Sequence, residues 1–262
     1  MDFKKLNIAT GWTVFLVAAW TYISTIEPTA SFWDCGEFIA TAYKLQVGHP
    51  PGAPLFMILG RIASAFVSVE NVPVAINILS ALCSAFTILF LFWSITHMAR
   101  KLALRDGGEL TTGQLIAVLG SGIVGSLAYT WSDSFWFSAV EGEVYSMSSF
   151  FTAVTFWAIL KWESEADEAH NTRWLILICY LLGLGIGVQL LALLCIPPIA
   201  LVYYFKKFKT TPKGVIYALV ISALILGTIQ SIIIPGVAKV GCWFELLFVN
   251  DFGLPFNTGN LV

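Results

Sequence analysis

Long, continuously apolar segments recur along this chain, and they constrain its fold more than any other feature. The segments 7–26, 74–97 and 214–235 each offer about the 20 residues that a helix needs to cross a hydrocarbon core of roughly 30 Å. They do not alternate polar and apolar residues as membrane-barrel strands do. Charged residues make up only 11% of the 262 residues, against about a quarter in soluble domains. We therefore predict an all-α integral membrane protein.

The positions of Lys and Arg orient about seven predicted spans. Lys4 and Lys5 are expected to hold the N-terminus in the cytoplasm by the positive-inside bias. Basic residues at 100–105 and 206–213 mark two further cytoplasmic loops. The other predicted spans are 114–131, 145–160 and two short helices that meet near Gln189 within 174–205.

This topology places three segments on the outer face, namely 27–73, 132–144 and 236–262. The first is predicted to hold two surface helices, because apolar and polar residues recur there on separate faces at helical spacing. His49-Pro50-Pro51-Gly52 between them is typical of a rigid turn. We treat 1–262 as a single transmembrane domain, and its abrupt end leads us to expect the N-terminal part of a longer chain.

Two pairs of acidic residues fall on this outer face. Asp34 and Glu37 are three residues apart, so they lie near one face of a helical turn and could orient or deprotonate a hydroxyl. The same spacing is typical of a capping box at a helix start, and the two roles are compatible. Glu141 and Glu143 precede the fourth span. They either stabilise its N-terminus or border the same site.

Four further residues are candidates for contacting a ligand. His49 belongs to the turn or carries a proton, and Gln189 bonds to a neighbouring helix or lies at a turn. Lys44 and Arg61 could meet an anionic head group, although snorkelling explains them equally well. The sequence has no metal-ligand spacing of cysteines and no phosphate loop or nucleic-acid patch. We therefore assign no metal ligands and no nucleic-acid partner, and leave metal dependence open.

Four motifs resemble the protein O-mannosyltransferase-like family of membrane-embedded GT-C glycosyltransferases, which is abundant in Bacteroidota and has a eukaryotic transmembrane relative. They are Asp34-Cys-Gly-Glu37, His49-Pro-Pro-Gly52-x-Pro54-Leu55, Glu141-Gly-Glu143-Val-Tyr145 and the run from Gly183 to Leu194. The resemblance covers nearly the whole chain.

The resemblance implies a GT-C-like module that transfers a sugar, expected to be mannose, to Ser or Thr hydroxyls of an acceptor protein. The donor would be a polyprenyl-phosphate sugar, and the reaction would take place with inversion on the periplasmic or lumenal face. Asp34 would be the base and Glu37 would support or orient it. Glu141, Glu143 and Tyr145 would border the same cavity.

The resemblance also implies a His and an Asn in the glycine-run helix, where this chain has Gln189 and Ala192. A bacterial inner membrane is the expected location. The alternative is a non-enzymatic membrane protein, either a transporter or an assembly subunit. Transporters tend to place ionisable groups at mid-membrane and to show repeats. Here the acids lie at the predicted outer surface, which favours the enzyme.

Overall fold

A computed structural model describes residues 2–259, and over that range the regular structure is entirely helical. This confirms the predicted all-α class. The α-helices of the described range are Phe3–Ser24 (α1), Cys35–Lys44 (α2), Pro54–Ser64 (α3), Val72–Ala103 (α4), Thr112–Thr130 (α5), Asp133–Ala139 (α6), Val144–Glu165 (α7), Thr172–Ile186 (α8), Ile196–Lys207 (α9), Pro212–Thr228 (α10) and Ile234–Leu246 (α11).

Within residues 2–259, five helical stretches are long and apolar enough to cross a membrane. They are Phe3–Ser24, Val69–Ala103, Thr112–Thr130, Leu190–Lys207 and Pro212–Asp251. The fourth and fifth predicted spans correspond to α7 and to α8, which has only 15 residues. The chain is therefore an integral membrane protein by the length and composition of its helices.

The seventh span does not end at Pro235 as its sequence indicates. Helical conformation continues through α11 to Asp251. A π-helical turn, Ile229–Ile233, comes immediately before the proline segment. Pro235 has no N–H group to donate to the preceding turn. The π-helical turn changes the hydrogen-bond pattern just before this position, so the helix continues beyond the proline. Much of the segment predicted as the third outer one is thus helical.

The helices form two compact units, one ending at Cys195 and the other starting at Ile196. In the first unit α4 is central, since it packs against α1, α5 and α7, while α7 also packs against α8. In the second unit α9 packs against α10. Every predicted site residue belongs to the first unit.

The two short helices between α1 and α4 confirm the predicted pair of helices in this segment. They pack closely because Gly60 has no side chain, and a Cβ atom there would lie 2.8 Å from Cβ of Ala42. The N–H of Leu55, at the start of α3, donates to the carbonyl of Gly187 at 2.9 Å. This bond ties the start of α3 to the turn that follows α8.

Candidate functional site

Three ionisable side chains meet where α2 begins and the turn before α3 passes over it. The backbone N–H of His49 donates to Oε1 of Glu37 at 2.6 Å, and its imidazole Nδ1 lies 3.1 Å from Oε2 of the same carboxylate. On the other side of the ring, Nε2 of His49 is 3.9 Å from Oδ2 of Asp34. The imidazole therefore lies between the two carboxylates that the sequence places three residues apart.

The capping-box interpretation of these two carboxylates is wrong for their side chains. Asp34 does occupy the N-cap position of α2, but it makes no capping hydrogen bond through its side chain within the described chain. Glu37 turns instead towards His49. Asp34 is thus available on the solvent-facing side of the cluster, where its side chain is 57% exposed.

Glu37 anchors the His49 turn as an ionised carboxylate. Its pKa is lowered, first by the backbone N–H of His49 and then by the imidazole. Gly48 permits this close approach, since a Cβ atom there would lie 3.1 Å from Oε1 of Glu37. A hydrogen bond from N–H of Gly52 to the carbonyl of His49, at 2.9 Å, closes the predicted turn.

A small cavity of about 70 Å³ opens beside this cluster. Its polar wall consists of Asp34, His49, Tyr145 and Gln189. The side-chain oxygen of Gln189 is buried and has no hydrogen-bond partner among residues 2–259. Buried polar atoms are usually paired, so this oxygen is available to a donor that enters the cavity. The space admits a hydroxyl group or a few waters but not a whole sugar.

A much larger groove of about 610 Å³ adjoins the cavity and shares Tyr145 and Gln189 with it. Its lining is mainly apolar or weakly polar and comes from α4, α5, α7 and the segment after α8. Further lining residues are Thr87, Leu91, Ile95, Gly125, Thr152, Phe156, Leu191 and Leu194. The small cavity and the groove between predicted spans therefore adjoin at Tyr145 and Gln189.

The second acidic pair is buried behind this cluster. Glu141 is only 3% exposed and accepts a hydrogen bond from the hydroxyl of Ser31. Burial raises the pKa of Glu143 to about 7, and the charges of Glu141 and Asp34 add to the rise. Burial also raises the pKa of Glu141, which the bond from Ser31 partly offsets. The charge of Asp34 is the smallest of the three causes for Glu143, so the buried pair lies within electrostatic range of Asp34.

With this geometry established, comparison with known proteins identifies the family. The family model described as the protein O-mannosyl-transferase TMEM260 N-terminal domain matches residues 34–212, which is more than half of the chain. The chain belongs to this family. The match begins at Asp34 and includes every predicted site residue.

Two curated relatives of the TMEM260 family match the chain over part of their own length. It is 27% identical over 173 residues to protein O-mannosyl-transferase tmem260 of Dictyostelium discoideum, covering 65% of this chain and 19% of the relative. It is 25% identical over 201 residues to protein O-mannosyl-transferase TMEM260 of Mus musculus, covering 76% of this chain and 26% of the relative. The chain thus spans about a fifth to a quarter of these relatives. No solved structure matches it significantly.

Two predicted site residues of this TMEM260 family member lie away from the cluster. Arg61 donates to the carbonyl of Tyr43 at 2.8 Å and stacks over the Tyr43 ring at 5.3 Å. Tyr43 is nine residues beyond Asp34, which corresponds to roughly 14 Å along a helix. Lys44 is exposed at the C-terminus of α2, where a cation complements the helix dipole. The structure brings neither cation to His49.

One residue important to the site was missed in the sequence. Asn77 of α4 is fully buried, and its amide donates to the carbonyls of Glu27 at 2.7 Å and Thr29 at 3.0 Å. It thereby holds the segment that brings Ser31 to Glu141. An amide inside a predicted span is a signal in itself, because polar groups there are costly unless paired.

The same cluster contains three groups that could hold a metal ion. Asp34, Glu37 and His49 each offer a ligand atom, and these atoms lie within 4.8 Å of one another. Carboxylate oxygen and imidazole nitrogen together suit Mn²⁺ or Zn²⁺. Since the imidazole already contacts Glu37, an ion would have to replace that contact.

Proposed function

We propose that this chain is the membrane-embedded part of a glycosyltransferase that moves mannose from a polyprenyl-phosphate donor to Ser or Thr hydroxyls of an acceptor protein, with inversion. The names of both relatives support a protein O-mannosyl-transferase. The observation that carries the proposal is that the small cavity beside Asp34 and His49 shares Tyr145 and Gln189 with a much larger, mainly apolar groove. The groove suits a long isoprenoid tail, and the small cavity suits the acceptor hydroxyl, so that the sugar would lie where the two adjoin.

In the proposed reaction Asp34 is the base. The acceptor oxygen attacks the anomeric carbon, the bond from that carbon to the phosphate oxygen breaks, and the phosphate leaves with the lipid. Asp34 takes the hydroxyl proton, because its carboxylate is exposed and lines the small cavity. A sugar phosphate is already activated, so positioning and proton removal are the main tasks left to the protein.

Glu37 and His49 act on this step by positioning. Glu37 holds His49 through the backbone N–H and the imidazole Nδ1, which leaves Nε2 on the side of Asp34, 3.9 Å from its Oδ2. With Nδ1–H given to Glu37, Nε2 carries a proton towards Asp34 only when the ring is doubly protonated, and that positive ring would orient the carboxylate. Glu143, with a pKa of about 7, limits the negative charge near Asp34 when it is protonated. Tyr145 and Gln189 are proposed to contact the sugar or its phosphate where cavity and groove meet.

Lys44 and Arg61 are proposed to act outside the reacting centre. Both lie towards the far end of α2, where a cation can attract anionic lipid head groups. We place the Asp34 cluster on the outer face of a bacterial inner membrane, with the N-terminus in the cytoplasm. The basic residues at 100–105, in the last turn of α4 and just after it, support this orientation, because α4 begins near the cluster and ends at these residues.

The rival proposal is a non-enzymatic membrane protein in which the Asp34–Glu37–His49 group binds an ion. The three clustered ligand atoms favour it, whereas the adjoining apolar groove favours the transferase. Ion-driven uptake into vesicles without any binding of a polyprenyl-phosphate sugar would support the rival. Saturable binding of the lipid donor would support the transferase.

The direct test compares Asp34→Asn with Asp133→Asn in the full natural protein, using polyprenyl-phosphate mannose and a Ser/Thr acceptor peptide. Asp133 is an exposed acid of the same predicted face. We expect Asp34→Asn to lower transfer by about 10²-fold or more, and Asp133→Asn to stay within about twofold of the wild type. Both variants should insert normally. Near-normal transfer by Asp34→Asn would remove Asp34 from the role of base.

A further inference from the structure

A second large cavity lies at the other end of the first unit. Its volume is about 620 Å³, and it is formed by the N-terminus of α1 and the C-terminal parts of α4 and α7. The lining residues are Asp2, Phe3, Lys4, Asn7, Ile8, Trp93, His97, Arg100, Trp157 and Lys161. From Val144 to Lys161, α7 extends roughly 25 Å at 1.5 Å per residue, so this cavity is separate from the Asp34 cluster.

The charge of this cavity favours an anion. Lys4, Arg100 and Lys161 line it, and Asp2 is the acid among the lining residues. The carboxylate of Asp2 already accepts a hydrogen bond from the backbone N–H of Lys4 at 3.0 Å. Three cations therefore face a space in which the acid is engaged as a helix cap. A ligand that bears a phosphate would be bound most strongly by these three cations, because bonds between charged groups are the strong ones.

Aromatic rings hold two of these cations in place. The guanidinium of Arg100 lies 4.9 Å from the ring centroid of Phe3, and Nζ of Lys161 lies 5.6 Å from that of Trp157. Trp93 and Trp157 lie side by side, with centroids 6.0 Å apart. Such cation–π contacts restrict the cations without neutralising them. The charges thus remain available to a ligand on a partly apolar wall.

An unpaired acceptor is the second, independent sign of a ligand. The side-chain oxygen of Asn7, which lines the cavity, is buried and has no hydrogen-bond partner within the described chain. The indole N–H of Trp93 donates to the backbone carbonyl of the same residue at 3.3 Å, which leaves the amide oxygen free. Leaving a buried acceptor unpaired is costly. A ligand that brings a hydroxyl would satisfy it.

The position of the cavity indicates a lipid and not a soluble anion. It lies at the ends of α1 and α4, which are long enough to span a membrane, and tryptophans are typical of the membrane–water interface. We propose that the cavity binds the head group of an anionic phospholipid that carries a hydroxyl, such as phosphatidylglycerol. Lys4, Arg100 and Lys161 would bind the phosphate, and the head-group hydroxyl would donate to Asn7.

The test measures binding of short-chain phosphatidylglycerol to the purified full protein in a non-ionic detergent. Arg100→Gln combined with Lys161→Gln should weaken binding by about tenfold or more, since bonds between charged groups are the strong ones. Arg105→Gln is the matched control, because it removes an exposed arginine near the same helix end that does not line the cavity. It should change the affinity by less than about twofold. Unchanged mannosyl transfer by the double variant would show that the protein remains folded.

Two other ligands separate the possible sources of the phosphate. Phosphatidylcholine of the same chain length should bind at least about tenfold more weakly than phosphatidylglycerol, and inorganic phosphate should not compete at millimolar concentration. Asn7→Ala should reduce the preference for phosphatidylglycerol over phosphatidic acid, which lacks the hydroxyl. Equal binding of phosphatidylcholine, or a double variant that binds like the wild type, would overturn the proposal. Competition by inorganic phosphate would overturn the assignment to a lipid.

Discussion

Replacing Glu143 with Gln should remove a pH dependence of stability that the buried acidic pair creates. The pKa of this carboxyl rises from 4.5 to about 7 on folding, mainly through burial and then through the charges of Glu141 and Asp34. A carboxyl with a raised pKa holds its proton more tightly in the folded than in the unfolded state. The folded protein is therefore most stable with respect to this carboxyl below about pH 4.5, where the group is protonated in both states. This stability is lost as the pH rises to about 7.

The size of the effect follows from the shift. At 1.36 kcal/mol per pKa unit, a rise from 4.5 to about 7 corresponds to roughly 3 to 3.5 kcal/mol as an upper limit. Glu143 is only 6% exposed, so solvent screens this energy little. Gln keeps the shape of the protonated acid and cannot ionise. We expect Glu143→Gln to be the more stable protein at pH 8 and to match the wild type near pH 5.

The assay is the apparent melting temperature, followed by tryptophan fluorescence in detergent between pH 5 and 8. The wild type should lose several degrees over this range, and Glu143→Gln should lose much less. Glu70→Gln is the control, since Glu70 is exposed on the same predicted face and its replacement should leave the slope as it is. A wild-type curve that is flat, or a slope that persists in Glu143→Gln, would refute the reasoning.

Three further predictions concern the surroundings of the site. Asn77→Leu should destabilise the protein by about 1 to 3 kcal/mol, because two carbonyls lose their donor. It should also speed proteolysis at 27–33. Unaltered melting and cleavage would contradict the role given to Asn77. Gly60→Ala should lower the free energy of unfolding by about 1 to 3 kcal/mol through overpacking against Ala42. Gly120→Ala is the control, because a Cβ there meets nothing within 4 Å, and it should leave stability unchanged. Equal melting temperatures of the two variants would argue against tight α2–α3 packing. Chelation with EDTA should leave the rate of mannosyl transfer within about twofold of the untreated protein, because His49 already pairs with Glu37. A loss of transfer that Mn²⁺ restores would make Asp34 a metal ligand instead of a base.

Much of the fold could be predicted because apolar length and basic loops are local properties of the sequence. The start of α5 is an example, since Thr111 and Gln114 form a capping box at its first turn and the predicted span begins at Gln114. The end of the seventh span was misjudged at Pro235. Proline normally stops a helix, and nothing in its neighbours reveals the π-helical turn that lets this helix continue.

The site was predictable in its members but not in its contacts. The spacing of Asp34 and Glu37 is typical of a capping box, but the box does not form because the turn carrying His49 offers Glu37 a backbone donor. Arg61 was grouped with the site because it is a cation in the same predicted loop. Its contact with Tyr43 depends on how α3 crosses α2, and helix-crossing geometry is set by packing and not by residue spacing. The roles of the predicted site residues remain predictions.

The cavity shared by Asp34 and Gln189 has a consequence for biosynthesis. Its two walls are separated by about 155 residues of chain, which takes roughly 8 to 30 s to translate at 5–20 residues per second. During that interval the carboxylates and the His49 turn have already been made, but the segment after α8 that receives the N–H of Leu55 has not. A nascent chain therefore carries its acids before the cavity beside them exists, and a product truncated before Gln189 should insert without ever acquiring the cavity.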